Sequence, residues 1–195
     1  MSNSASFDLP EFKKIDKNQQ EVTIDEALEL AQGHHAKGNY LLAERTYRDI
    51  LAAIPEHFPT THLLGVLLFQ TQNFQEAKKY MKLALESEPE NISCINNYGG
   101  VLAQLGNHEE ALEYYERALK VKPEHKETLD NKALALFRLN RFKEALEISQ
   151  RTIDLGYDDL ITLNNHAMIL ARMSRYEDAL ETWEKAIEQG PEAMI

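Results

Sequence analysis

Apolar residues along most of the chain recur at intervals of three and four, the spacing of a helix with one buried face, and the phase breaks at short turn segments. In the stretch 92–121, Ile95, Tyr98, Gly99 and Leu102 mark one such face, and Ala111, Leu112, Tyr115, Ala118 and Leu119 mark the next. The pattern predicts two antiparallel helices joined by a tight turn. Gly38 and Gly106 suit the end of a first helix because they reach positive φ without a Cβ clash, and Asn140 is the next best residue there. Pro55, Pro89, Pro123 and Pro191 stop the second helix. Thr23-Ile24-Asp25-Glu26 has the T-x-x-E form of a capping box and predicts the start of the first helix.

The hairpin repeats. Gly38-Asn39-Tyr40-Leu41-Leu42-Ala43 returns 34 residues later as Gln72-Asn73-Phe74-Gln75-Glu76-Ala77, and three further steps of 34 reach Gly106, Asn140 and Ser174. This divides the chain into a lead, 1–23, five units (24–57, 58–91, 92–125, 126–159 and 160–193) and a tail, 194–195. Such a period defines an all-α solenoid. Counting within each unit, the eighth residue is Ala31, Gly65, Gly99, Ala133 or Ala167, and the twentieth is always alanine. Small residues at both positions let two helix axes approach closely. Bulky side chains at position seventeen (Tyr40, Phe74, Phe142, Tyr176) and at position twenty-four (Tyr47, Met81, Tyr115, Trp183) are the expected core wedges. The fourth unit departs from the pattern with Lys132, Ser149, Thr152 and Tyr157, and Gly156 offers a cap there. In the lead, Phe12, Ile15, Gln19 and Val22 share a helical face, which predicts a short amphipathic helix over 11–22 that caps the stack or lies in a groove, with disorder up to about residue 10.

These residues resemble the tetratricopeptide repeat in period, in the small residues at eight and twenty, in the aromatic at seventeen and in the proline at thirty-two. The resemblance implies a right-handed superhelical solenoid of five helix-turn-helix repeats whose first helices line a concave face. It also implies a scaffold that binds an extended peptide or a partner segment, without chemistry of its own. Asn97, Asn131 and Asn165 occupy position six of the last three units, and Asn96, Asp130 and Asn164 occupy position five. An asparagine amide donates and accepts, so a row of them suits a peptide backbone of any sequence. Such a ladder resembles the peptide-gripping inner surface of O-linked N-acetylglucosamine transferases, and Thr61-His62-Leu63-Leu64-Gly65-Val66-Leu67 looks like the repeats that precede bacterial transferase domains. Phe69 and Phe137 at position twelve, with Gln104, Arg138 and Arg172 at position thirteen, complete the candidate groove as apolar anchors and donors to an acidic ligand. The alternative for the asparagines is a structural bridge between helices, and for the arginines a solvated charge. The dicarboxylate clamp of co-chaperones is excluded, because position two is Asp25, Pro59, Ser93, Glu127 or Ile161 and no base stands at position six.

Composition narrows the reading further. With 21 Lys+Arg against 32 Asp+Glu the net charge is −11, which opposes a nucleic-acid or anionic-membrane partner. The longest apolar run, 63–69, is far too short to span a bilayer. One cysteine, Cys94, and no signal-like start point to the cytoplasm. No HExxH, CxxC, G-x-S-x-G or phosphate loop is present, so neither catalysis, metal nor cofactor is expected. His34 and His35 point about 100° apart on a helix and do not converge on a metal. His166 at position seven reads as a hydrogen-bonded core histidine. Two rival readings stay open: the docking region of a larger transferase, and a scaffold that self-associates through the fifth unit with Trp183 and Ile187. Both follow from the chain's stopping two residues after that unit, which predicts either a fragment or a last face buried on another copy.

Overall fold

A computed structural model of the protein describes residues 14–15 and 21–189. Among them lie ten helices: α1 (Ile24–Ala36), α2 (Tyr40–Ala53), α3 (Phe58–Gln70), α4 (Phe74–Ser87), α5 (Ile92–Gln104), α6 (His108–Val121), α7 (Lys126–Arg138), α8 (Phe142–Asp154), α9 (Leu160–Arg172) and α10 (Tyr176–Gln189). Two short strands precede them, β1 (Lys14–Ile15) and β2 (Glu21–Val22), paired antiparallel with Lys14 opposite Val22. The helix expected over 11–22 is therefore corrected at these four residues, which pair as two antiparallel strands instead of bonding along a helix. The remainder of the lead lies outside the described residues.

The fold is an all-α helical repeat solenoid in class, built from antiparallel hairpins of 13- and 14-residue helices. The helices fall into two compact units, Met1–Ser87 with α1 to α4 and Glu88–Ile195 with α5 to α10. In the first, α1 packs on α2, α2 on α3 and α3 on α4; in the second, each of α5 to α9 packs on its successor, and α5, α7 and α9 also lie side by side.

Every hairpin turn uses the same backbone conformation. Position fifteen has positive φ in all five: Gly38 at 75°, Gln72 at 62°, Gly106 at 83°, Asn140 at 59° and Ser174 at 62°. Glycine at two of these was legible as a cap, whereas glutamine and serine adopt the left-handed region at a conformational cost. Gly156, with φ 85°, ends α8 as expected. The capping box at α1 is complete: Glu26 N–H donates to Thr23 Oγ1 at 3.2 Å and Thr23 N–H donates to Glu26 Oε2 at 2.8 Å. The Thr23 N–H, and after it the Thr23 hydroxyl, which donates to the same oxygen at 3.0 Å, hold the Glu26 carboxyl below the usual carboxylate range.

The core is a set of close helix crossings. All five alanines at position twenty are buried, as are the small residues at position eight. Against them sit Tyr47, Met81 and Tyr115, each no more than 1% exposed. A methyl group on Gly99 would lie 2.7 Å from Tyr115 Cε1, and one on Gly65 would lie 3.1 Å from the flexible Met81 side chain. Burial pushes the Tyr47 hydroxyl up to about 12 and raises that of Tyr115 as well.

Position seventeen departs from its expected role as a wedge. Tyr40 is 39% exposed and Tyr176 67%. Being the first residue of the second helix, position seventeen lies at the hairpin's edge, where it meets position twelve across the turn. His35 with Tyr40, Phe69 with Phe74 and Phe137 with Phe142 form the same edge-on aromatic pair, with centroids 5.9, 5.6 and 5.6 Å apart.

In the fourth repeat Ser149 replaces the bulky wedge, and the fifth compensates with His166. Both are buried, and Ser149 Oγ lies 2.8 Å from His166 Nδ1. Burial holds the His166 pKa below its ordinary value, Arg175 adds to that, and Asp154 opposes it. The unfolded chain thus takes up the proton first as pH falls below about 6.5. Stability from this site is fully present above that pH and is lost beneath it. We expect the thermal midpoint to drop between pH 7.5 and 5.5, and to drop less in His166→Gln; equal drops would remove this histidine as the cause. His62 behaves in the same direction in the first unit, through burial alone, and remains in both proteins.

Candidate functional site

The candidate residues of the second unit lie on α5, α7 and α9, the three first helices that pack side by side. Position five has become a bridge between helices. Asn96 is 8% exposed, and its Oδ1 accepts from Thr128 Oγ1 at 3.0 Å and from Asn131 Nδ2 at 3.2 Å. Because the single Thr128 hydroxyl proton is donated to Asn96, the 2.8 Å contact between His125 Nδ1 and Thr128 Oγ1 requires His125 to donate through Nδ1. The relay thus runs from the residue that caps α7, through its first turn, into α5.

One repeat on, the same positions carry charge. Asp130 is 7% exposed and accepts from Thr162 Oγ1 at 3.1 Å and from Lys126 Nζ at 2.9 Å. Lys126 Nζ also reaches Asp159 at 2.8 Å. Asp159 caps α9 by accepting from the backbone N–H groups of Ile161 and Thr162. Burial opposes the charge on Lys126 and Asp159 alike, but their mutual hydrogen bond, with Asp130 on one side and the cap N–H groups on the other, outweighs it. The Lys126 pKa is therefore raised and that of Asp159 lowered. Thr128, Thr162 and Lys126 escaped the sequence reading. The available signal was threonine at position three, recurring as Thr60, Thr128 and Thr162.

The position-six asparagines, Asn97, Asn131 and Asn165, are all half-buried on successive first helices. Asn131 is oriented by Asn96, and the Asn165 side chain makes no hydrogen bond among the described residues. Asn164 is exposed and accepts from Trp183 Nε1 at 3.2 Å, tying α9 to α10. Gln104 and Arg138 are exposed at the ends of α5 and α7. Arg172 lies over the Phe142 ring, 5.4 Å from its centroid, so Phe137, Phe142 and Arg172 form one cluster at the turn. Phe69 belongs to the first unit, where it is paired with Phe74. Cys94 is fully buried, its thiol pushed up to about 11 by burial and by Glu88, and packs as a small residue. Among the described residues there is no group of three metal-ligating side chains, and no helix is long and apolar enough to cross a membrane.

Stacked helical hairpins with polar side chains set along their first helices define a helical-repeat protein. The sequence signature of the tetratricopeptide repeat matches residues 91–156, and that of anaphase-promoting complex, cyclosome, subunit 3 matches residues 32–118. The chain is a tetratricopeptide-repeat protein, and proteins of this fold generally mediate protein–protein interaction. Over 64 residues, 33% of its length, it is 33% identical to a UDP-N-acetylglucosamine–peptide N-acetylglucosaminyltransferase of Caenorhabditis elegans, and it spans 6% of that enzyme. Its fold is similar to MamA from Desulfovibrio magneticus RS-1, with TM-score 0.75 and 17% identity over 85% of this chain and 93% of that one. It is also similar to a thermophilic repeat protein of Thermus thermophilus, with TM-score 0.74 and 19% identity over 87% of this chain and 92% of that one.

Proposed function

We propose that the second unit binds an extended peptide segment of a partner protein along α5, α7 and α9, without chemistry of its own. The observation that carries this reading is the row of half-buried asparagines at position six. A side-chain amide both donates and accepts, so a half-buried row of them at repeat spacing suits the alternating C=O and N–H groups of an extended peptide. Asn96 and Asp130 act beneath this row by locking adjacent helices in register, so that the amides keep the spacing of successive repeats. Arg138 is the available cation for an acidic side chain of the ligand, whereas Arg172, Phe137 and Phe142 offer a flat edge at the turn. Nucleic acid and membrane do not suit a chain of net charge −11.

A phage library of linear peptides selected on the full chain supplies the probe. Combining Asn97→Ala, Asn131→Ala and Asn165→Ala is expected to weaken the selected peptides about tenfold or more in calorimetric titration, with helicity unchanged. Peptides that bind the triple variant equally well would refute the reading. A second reading, that the repeats present protein acceptors to a transferase, is supported by the 64-residue similarity to the nematode enzyme. Transfer of N-acetylglucosamine by the natively isolated protein would favour it.

A further inference from the structure

In the second unit, α6 packs on the helix that follows it, α7, and α8 on α9. On α6 one register holds Leu112, Tyr115 and Leu119, and Leu112 is only 6% exposed. On α8 it holds Leu146, Ser149 and Ile153. The same register on α10 sets out Tyr176, Leu180, Trp183 and Ile187, an i, i+4, i+7, i+11 stripe. Here Leu180 is 57% and Ile187 69% exposed.

The flank of this stripe is acidic. Glu177, Glu181, Glu184 and Glu188 recur at helical spacing about 100° round from the apolar stripe. None of the four has an ion-pair partner among the described residues. The ion pairs that α10 does make, Asp178 with Arg175 and Lys185 with Asp158, involve other positions.

The chain also shows what satisfies such a flank. Glu116 of α6 stands at the position of Glu184, and Lys132 of α7 reaches it at 3.3 Å, between the buried Leu129 and Leu136. We propose that the outer face of α10 is a docking site for an amphipathic helix of a partner protein, one that presents a basic residue between two large apolar residues with the spacing of Leu129, Lys132 and Leu136. A second copy fits poorly, because antiparallel pairing of two α10 helices sets one glutamate flank against the other. The site is separate from the peptide groove.

Trp183, the chain's one tryptophan, lies on this stripe and reports on it. The probe is a synthetic peptide with the sequence of 126–141, stapled because a helix so short is marginal in water. Added to the full chain, it is expected to shift Trp183 emission to the blue saturably, and less so at high salt. Lys132→Glu in the peptide should weaken binding about tenfold, and Glu184→Lys in the protein should restore the binding of that altered peptide. Equal binding of both peptides, or no shift at millimolar peptide, overturns the proposal. A shift that follows protein concentration alone, with a dimer in sedimentation, also overturns it and assigns the face to a second copy. The triple asparagine variant should bind this peptide normally, which keeps a failure here distinct from a failure of the groove.

Discussion

Tyr115→Ala is expected to cost the Glu88–Ile195 unit about 4 kcal/mol in urea denaturation, the largest effect of any single truncation there. The ring is 1% exposed and sits in the notch opened by Gly99, touching where an added methyl group would collide. Truncation therefore loses the whole ring's burial and leaves a cavity between two helices already at close approach, with little room to relax. Gly99→Ala perturbs the same crossing from the other side. It gains about 1 kcal/mol of helix propensity and loses about 2 kcal/mol to overpacking, a net cost of about 1 kcal/mol. Gly65→Ala, facing the pliant Met81, should be neutral or stabilising. If Tyr115→Ala costs less than about 2 kcal/mol, the crossing is not the main tie within the unit.

Asp130→Ala is expected to cost about 2 to 3 kcal/mol. It strips Lys126 Nζ of one of its two carboxylates and leaves the buried Thr162 hydroxyl without its acceptor. Partial exposure of Lys126 keeps the figure below that of a fully buried pair. Asp130→Asn copies the residue that position five carries one repeat earlier, Asn96, and keeps an acceptor for Thr162, so it should cost about 1 kcal/mol. Urea midpoints of both variants, combined in a cycle with Lys126→Met, separate the charge from the hydroxyl bond. Identical losses for Ala and Asn would show that the Thr162 bond contributes nothing.

The repeat, its helices and its close crossings were legible because each depends on residue type at a fixed offset within one hairpin. Ala43, Gly99 and Tyr115 announce their packing by size, and Gly38 and Gly106 announce their turn by conformation. The candidate site was less legible, because its meaning depends on which groups meet across repeats. Asn96 belongs to an asparagine ladder in the sequence, yet its oxygen is taken up by Thr128, 32 residues away. Phe69 and Phe137 read as ligand anchors by type, but the aromatic partner five residues on that each packs against was not part of that reading. Tyr176 matched the wedge pattern by type while standing at an edge. The strand pair at Lys14 and Val22 was missed because two-residue strands carry no periodic signal at all.

The five turns differ in how they can drift over evolutionary time from the crossings they connect. Gly, Gln, Gly, Asn and Ser all hold the same left-handed position fifteen, so the turn geometry is imposed by the packed helices on either side and survives loss of its preferred residue. Position twenty shows the opposite behaviour, with alanine in all five repeats and no alternative in use. Neutral drift can therefore erase the glycine that makes the turn recognisable while leaving the hairpin intact, whereas one added methylene at the crossing is open to selection at once. Relatives of this chain should be easier to find by their alanines than by their glycines.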